Sequence, residues 1–150
     1  MTEKNTDSIW ERIPRQRGKR IVWILWFITW LGLLAGLYNS VFYEWVVVFS
    51  AVHAIAFLIL LGLYIKAFPV QVRLAYFIWV AVGTFVPYMI FLMYITTVGL
   101  FTKLFLNYCP LARIMYLMPW NREEQLSMGL ILKVFQTPPV EGQFKLTRPA

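Results

Sequence analysis

The stretch IVWILWFITWLGLLAGLY, residues 21–38, contains no charged side chain and decides the class of fold. A helix needs about 20 apolar residues to cross the hydrocarbon core of a bilayer, so this segment predicts a transmembrane helix. Six basic residues precede it, as basic residues precede a cleaved signal peptide. Three tryptophans, the lack of an A-x-A cleavage site and further apolar segments downstream favour a retained helix over that alternative.

The composition supports a membrane protein. Of the 150 residues, 60% are hydrophobic and 14% are charged, and the mean hydropathy is +0.64. A soluble domain carries roughly 45–50% apolar and about 25% charged residues. The single cysteine excludes an internal disulfide and a zinc site built from cysteines.

Three more apolar segments follow, at residues 45–65, 74–95 and 98–118. The segment at 74–95 contains Gly83 and Pro87, which membrane helices tolerate where neighbours or water satisfy the freed backbone groups. The prediction is an all-α integral membrane protein with a helical bundle over residues 21–118, between a basic N-tail (1–20) and a C-tail (119–150). Because 98–118 holds Lys103 and Arg113, a re-entrant or in-plane segment remains the alternative to a fourth span.

The distribution of charge favours four spans. The chain has 14 basic and 7 acidic residues, a net charge of +7. Four spans place every basic residue except Lys103 on one side, whereas three spans divide the basic residues almost evenly. By the positive-inside rule both termini are then cytoplasmic. The basic excess is interpreted as an orientation signal and not as nucleic-acid binding, and the expected location is a bacterial inner membrane.

The C-tail predicts an in-plane amphipathic helix at about residues 125–136. Its polar positions form one narrow stripe among apolar ones, which suits a helix lying on the bilayer or against the bundle. The preceding segment is either a docking site for a partner or a solvated helix end. Its candidate docking residues are Trp120, Arg122, Glu123 and Glu124.

Two features inside the spans are candidate binding sites. His53 is the only histidine, and an ionisable residue at that depth is a functional hypothesis by default. It could ligate a haem or chlorin metal or shuttle a proton. The alternative is a neutral imidazole hydrogen-bonded between helices, to Ser50 one turn earlier or to a tyrosine. Lys103 and Asn107, one turn apart, could hold a lipid headgroup or a quinone-like ligand, or could simply bond to other helices. Lys103 is expected at the outer boundary, close enough to Glu44 for an ion pair.

Gly32 and Gly36 form a G-x-x-x-G pair on the first helix. Small residues at this spacing let another helix approach closely. The spacing leaves open whether that helix belongs to the same chain or to a partner.

The sequence lacks a glycine-rich phosphate loop, an H-E-x-x-H motif and a pair of intramembrane carboxylates. The expected function is therefore non-catalytic: an accessory or stabilising subunit of a larger membrane complex, or a homo-oligomer. The alternative is a membrane binding protein for a lipid, quinone or tetrapyrrole, using His53 or the face formed by Lys103 and Asn107. A small membrane enzyme would need a site shared between subunits.

Overall fold

A computed structural model describes residues 15–122 and 124–138, and within these ranges every regular element is a helix. The predicted all-α fold is confirmed. The six helices are α1 (Arg15–Tyr38), α2 (Val41–Leu60), α3 (Phe68–Phe85), α4 (Phe91–Leu106), α5 (Pro110–Tyr116) and α6 (Met128–Gln136).

Three helices are long and apolar enough to cross a membrane, and they lie within α1, α2 and α3. A fourth span requires α4 and α5 to count together, although these two helices are bent by 96°. With 16 residues, α4 alone is about 24 Å long, shorter than the roughly 30 Å hydrocarbon core. The described helices thus provide three or four spans, and the expectation of one continuous helix over residues 98–118 is wrong.

The expected continuous helix over residues 74–95 is also wrong. Val86 is extended, as the residue before a proline is biased to be, and Tyr88 has a left-handed φ of 67°. Because Pro87 has no N–H to donate and crowds the preceding turn, the helix ends here. The other boundary moves as well, since α3 begins at Phe68 with proline in its first turn, a favoured position.

The bend between α4 and α5 has a local cause. Asn107 adopts a left-handed conformation, with a φ of 54°, and ends α4. Pro110 is the first residue of α5, and the Sγ of Cys109 accepts a hydrogen bond from the backbone N–H of Ala112 at 3.4 Å. Asparagine tolerates this conformation better than most residues do, so Asn107 is a favourable residue at which to end the helix.

Helices α1 to α4 run up and down in an antiparallel bundle. The indole of Trp23, near the start of α1, donates to the carbonyl oxygen of Leu104, near the end of α4, at 3.3 Å. Trp30 donates in the same way to Thr97 at 3.2 Å. The carbonyl oxygen of Leu104 lies in the last turn of α4 and has no partner within the helix. Lipid cannot donate a hydrogen bond to it, so the indole of Trp23 supplies the missing one.

One end of the bundle contains the start of α1, the end of α2, the start of α3 and the end of α4. Every Lys and Arg of the described residues lies at this end or within about two turns of it, and we call it the basic end. Glu44, in the first turn of α2, is the charged side chain at the opposite end of the described bundle.

The C-terminal part of the described chain packs on the basic end. Leu130 and Val134 of α6 are buried against Ala112 and Tyr116 of α5. Ser127 caps α6, accepting from the N–H of Leu130 at 3.1 Å, so the helix begins at Met128 and the expected helix at 125–136 is slightly shorter than predicted.

Candidate functional site

The interior of the described bundle contains a cluster of polar side chains centred on His53. This residue lies on the buried stripe of α2 and is only 6% exposed. Three aromatic rings surround its imidazole: Trp26 of α1 at 5.1 Å between centroids, Phe49 at 6.2 Å and Phe57 at 5.2 Å. The side chain is therefore held between helices and does not face lipid.

Arg73 of α3 is the principal partner of His53. Its Nε donates to His53 Nε2 at 3.3 Å, and one terminal nitrogen donates to the carbonyl oxygen of Pro69 at 2.7 Å. The guanidinium carbon lies 3.5 Å from the centre of the Phe57 ring, a close cation–π contact. The arginine is 7% exposed, so both members of the pair are buried.

This geometry fixes the protonation states. A guanidinium remains charged in proteins and offers only donors, so His53 Nε2 must be an unprotonated acceptor. Protonating the imidazole would place two positive charges about 3.3 Å apart in a medium of low dielectric constant. The structure thus gives His53 a neutral, hydrogen-bonded state, as in the helix-bonded alternative, but its partner is Arg73 and not Ser50.

Two buried hydroxyls lie one turn away from this pair. Ser50 precedes His53 by three positions on α2, and Tyr76 follows Arg73 by three on α3. Their oxygens have no hydrogen-bond partner among the described residues. Trp26 links the two sides of the cluster, because its ring meets Tyr76 edge to face at 5.0 Å and also contacts His53.

Sequence reasoning missed Arg73 because it placed the start of the third helix at residue 74. Arg73 was then part of a basic turn outside the membrane. The signal that could have located it is Phe68-Pro69, since proline favours the first turn of a helix. A helix that begins at Phe68 carries Arg73 into its second turn.

Lys103 and Asn107 lie at the basic end, in the last turn of α4 and just after it. The expectation that Lys103 lies beside Glu44 is wrong, because α4 begins at Phe91 and its last turn is a helix length away from the start of α2. Lys103 is partly exposed and Asn107 is exposed. The structure does not bring them together with His53.

Gly32 and Gly36 face α2 of the same chain. A Cβ added at Gly32 would lie 2.8 Å from a methyl group of Val46, and one at Gly36 would overlap the ring of Tyr43. The close approach that the glycines permit is therefore one between α1 and α2.

The docking candidates lie on the turn after α5. Trp120 is 66% exposed, and its indole donates to the side-chain oxygen of Gln71 at 3.1 Å. Glu124 lies 3.9 Å from Lys133 across an exposed surface, a contact worth little in water. Arg122 is partly exposed, and Glu123 lies outside the described residues.

No family model, curated protein or solved structure matches this chain.

Proposed function

We propose that the chain is a small non-catalytic accessory subunit that stabilises a larger membrane protein complex. The observation that carries this proposal is an apolar groove of about 220 Å³ between α1 and α2, which is lined by Ile28, Thr29, Gly32, Phe42, Trp45, Val46 and Phe49. A concave apolar surface between two membrane helices is suited to the side chains of a neighbouring membrane helix.

The size of this groove supports a protein partner over a large cofactor. Pockets that bury a drug-sized ligand hold roughly 300–1,000 Å³, and a haem or chlorin is larger than most drugs. A groove of about 220 Å³ suits one or two apolar side chains. Trp45, at its rim, is 67% exposed, and tryptophan is enriched among the residues that dominate binding energy at interfaces.

The proposal includes an orientation. With the basic end on the cytoplasmic side, every described Lys and Arg obeys the positive-inside rule, and Lys103 is no longer an exception. Both termini are then cytoplasmic, and we propose a bacterial inner membrane as the location.

Affinity purification of the full chain in a mild detergent tests the accessory role. We expect a larger membrane protein to be recovered with the wild type and to be reduced about tenfold or more by Trp45→Ala. Ile78→Ala is the matched control, because Ile78 is 54% exposed on α3 and is not part of the groove. Recovery of the wild type only as a monodisperse monomer would refute the proposal.

The buried pair of Arg73 and His53 favours a second candidate, a binding protein for a lipid, quinone or tetrapyrrole. Since Nε2 of His53 is engaged by Arg73, tetrapyrrole ligation would need Nδ1 or the displacement of the arginine. The absorption spectrum of the purified chain separates these ligands, because only a tetrapyrrole gives a strong visible band that His53→Ala should abolish.

A further inference from the structure

The polar cluster around Arg73 has more hydrogen-bond donors than acceptors. Arg73 carries five N–H groups, of which one is directed to His53 and one to Pro69. The hydroxyls of Ser50 and Tyr76 add two donors, both on side chains more than nine-tenths buried and both without a partner among the described residues. The side-chain acceptor next to Arg73, Nε2 of His53, is already occupied.

The cluster also carries an uncompensated charge. Within the described ranges no carboxylate pairs with Arg73: Glu44 lies at the opposite end of the bundle, and Glu124 is next to Lys133. The ring of Phe57 and the lone pair of His53 offset part of the desolvation of the guanidinium. A buried charge is normally paired as well, because burying an unpaired charge is costly.

We propose that this cluster binds an oxyanion, a phosphate or carboxylate group, with Arg73 as the main ligand. The guanidinium presents a fork of donors that matches the oxygens of such a group. The hydroxyls of Tyr76 and Ser50, one turn deeper, are neutral donors suited to its remaining oxygens. No other side chain in the cluster carries a charge to compete for the anion.

The location of the cluster suits a group that arrives from the membrane surface. Arg73 lies about 8 Å from the start of α3, within reach of the headgroup layer at the basic end. Basic pockets between membrane helices near the cytoplasmic face bind anionic headgroups. The oxyanion therefore comes either from an anionic lipid or from a free ion such as phosphate. This inference narrows the second candidate function to one ligand chemistry and does not depend on the accessory role.

Thermal unfolding of the full chain in dodecyl maltoside micelles, which contain neither phosphate nor carboxylate groups, tests the proposal. One series adds phosphatidylglycerol to the micelles, and a second adds inorganic phosphate to micelles without lipid. We expect a saturable rise in the unfolding midpoint of the wild type. Losing a hydrogen bond to a charged group costs about 1.5–3 kcal/mol, so Arg73→Gln should weaken the apparent affinity roughly tenfold or more.

Two further variants make the result specific. Arg20→Gln, on an exposed arginine of α1 at the same end, should change the apparent affinity less than about twofold, because exposed charges are screened. Tyr76→Phe keeps the charge and the ring and should weaken binding about two- to tenfold. It also keeps the proposal testable if Arg73→Gln does not fold.

The series separate the two sources of the oxyanion. Saturation with phosphatidylglycerol alone identifies a lipid headgroup, and saturation with inorganic phosphate in micelles without lipid identifies a free ion. A wild type that shows no saturable rise in either series overturns the proposal, as do equal losses of affinity in Arg73→Gln and Arg20→Gln. Because the readout uses the isolated chain, it is independent of any failure to recover a partner protein.

Discussion

Replacing Gly36 with alanine tests the packing of α1 on α2. The added Cβ would overlap three ring carbons of Tyr43, and this tyrosine is only 3% exposed, so its ring cannot move out into lipid without opening the core. Forcing an extra carbon into a packed interior typically costs 1–3 kcal/mol. Alanine is also favoured over glycine in a helix by about 1 kcal/mol. We expect Gly36→Ala to be destabilised by roughly 0–2 kcal/mol.

Gly99 provides the matched control, because a Cβ there would meet nothing within 4 Å. Gly99→Ala should gain up to about 1 kcal/mol from helix propensity alone. The difference in unfolding free energy between the two variants is then roughly 1–3 kcal/mol, free of the propensity contribution. Gly32→Ala should lie between them, since its Cβ meets a single methyl group of Val46 at 2.8 Å. Reversible unfolding in detergent micelles measures all three, and equal stabilities of the Gly36 and Gly99 variants would refute the packing argument.

Two other predictions concern the basic end. Arg113 donates to the carbonyl oxygen of Val134 in α6 and to that of Pro138 just after it. Arg113→Met should therefore speed amide hydrogen exchange in α6 about tenfold or more and leave the exchange rates of α3 unchanged. Unaltered exchange in α6 would contradict this prediction. In a Cys109→Ser background, a membrane-impermeant thiol reagent should label cysteines introduced at Gly62 and Gln136 from one side and a cysteine at Ser40 from the other. Labelling of Gln136 from the side of Ser40 would rule out the described arrangement of α4 and α6.

The apolar runs predicted the helices well, but the ends of α3 and α4 were misplaced. Hydropathy does not distinguish a proline that a membrane helix tolerates from one that ends it. The break at Pro87 also involves the left-handed conformation of Tyr88. Bulky residues adopt this conformation rarely, and no sequence pattern predicts it here. The predicted fourth span began at residue 98, which placed Lys103 near its outer end. In the structure α4 begins at Phe91, so Lys103 lies in its last turn, at the basic end. This one error in a helix boundary placed the charge at the wrong end of the bundle.

The candidate site was predicted in part. His53 stood out as the lone titratable imidazole in a span, and the structure places it in the polar cluster. The identity of its partner depended on tertiary packing, because Arg73 reaches His53 only when α2 and α3 are antiparallel and offset by their connecting loop. The sequence predicted a hydrogen bond from His53 to Ser50, one turn away on the same helix. In the structure His53 accepts from Arg73, and Ser50 does not bond to it.

The proposed oxyanion site gives the buried pair of Arg73 and His53 a role that stability alone does not supply. Insertion scales assign about 2.5–3.5 kcal/mol to an arginine at the centre of a membrane helix. Arg73, in the second turn of α3, costs less than this, and the lone pair of His53 and the ring of Phe57 on α2 offset part of its desolvation. Apolar residues of similar volume would need no such compensation, and replacing buried polar pairs in this way is often neutral or stabilising. On this argument the bundle could fold with an apolar residue at this point, whereas the proposed capture of an oxyanion requires a positive charge. Ser50 and Tyr76, buried beside the pair, support the same interpretation. Packing alone does not require their hydroxyl groups, because apolar side chains of similar size would fill the same space.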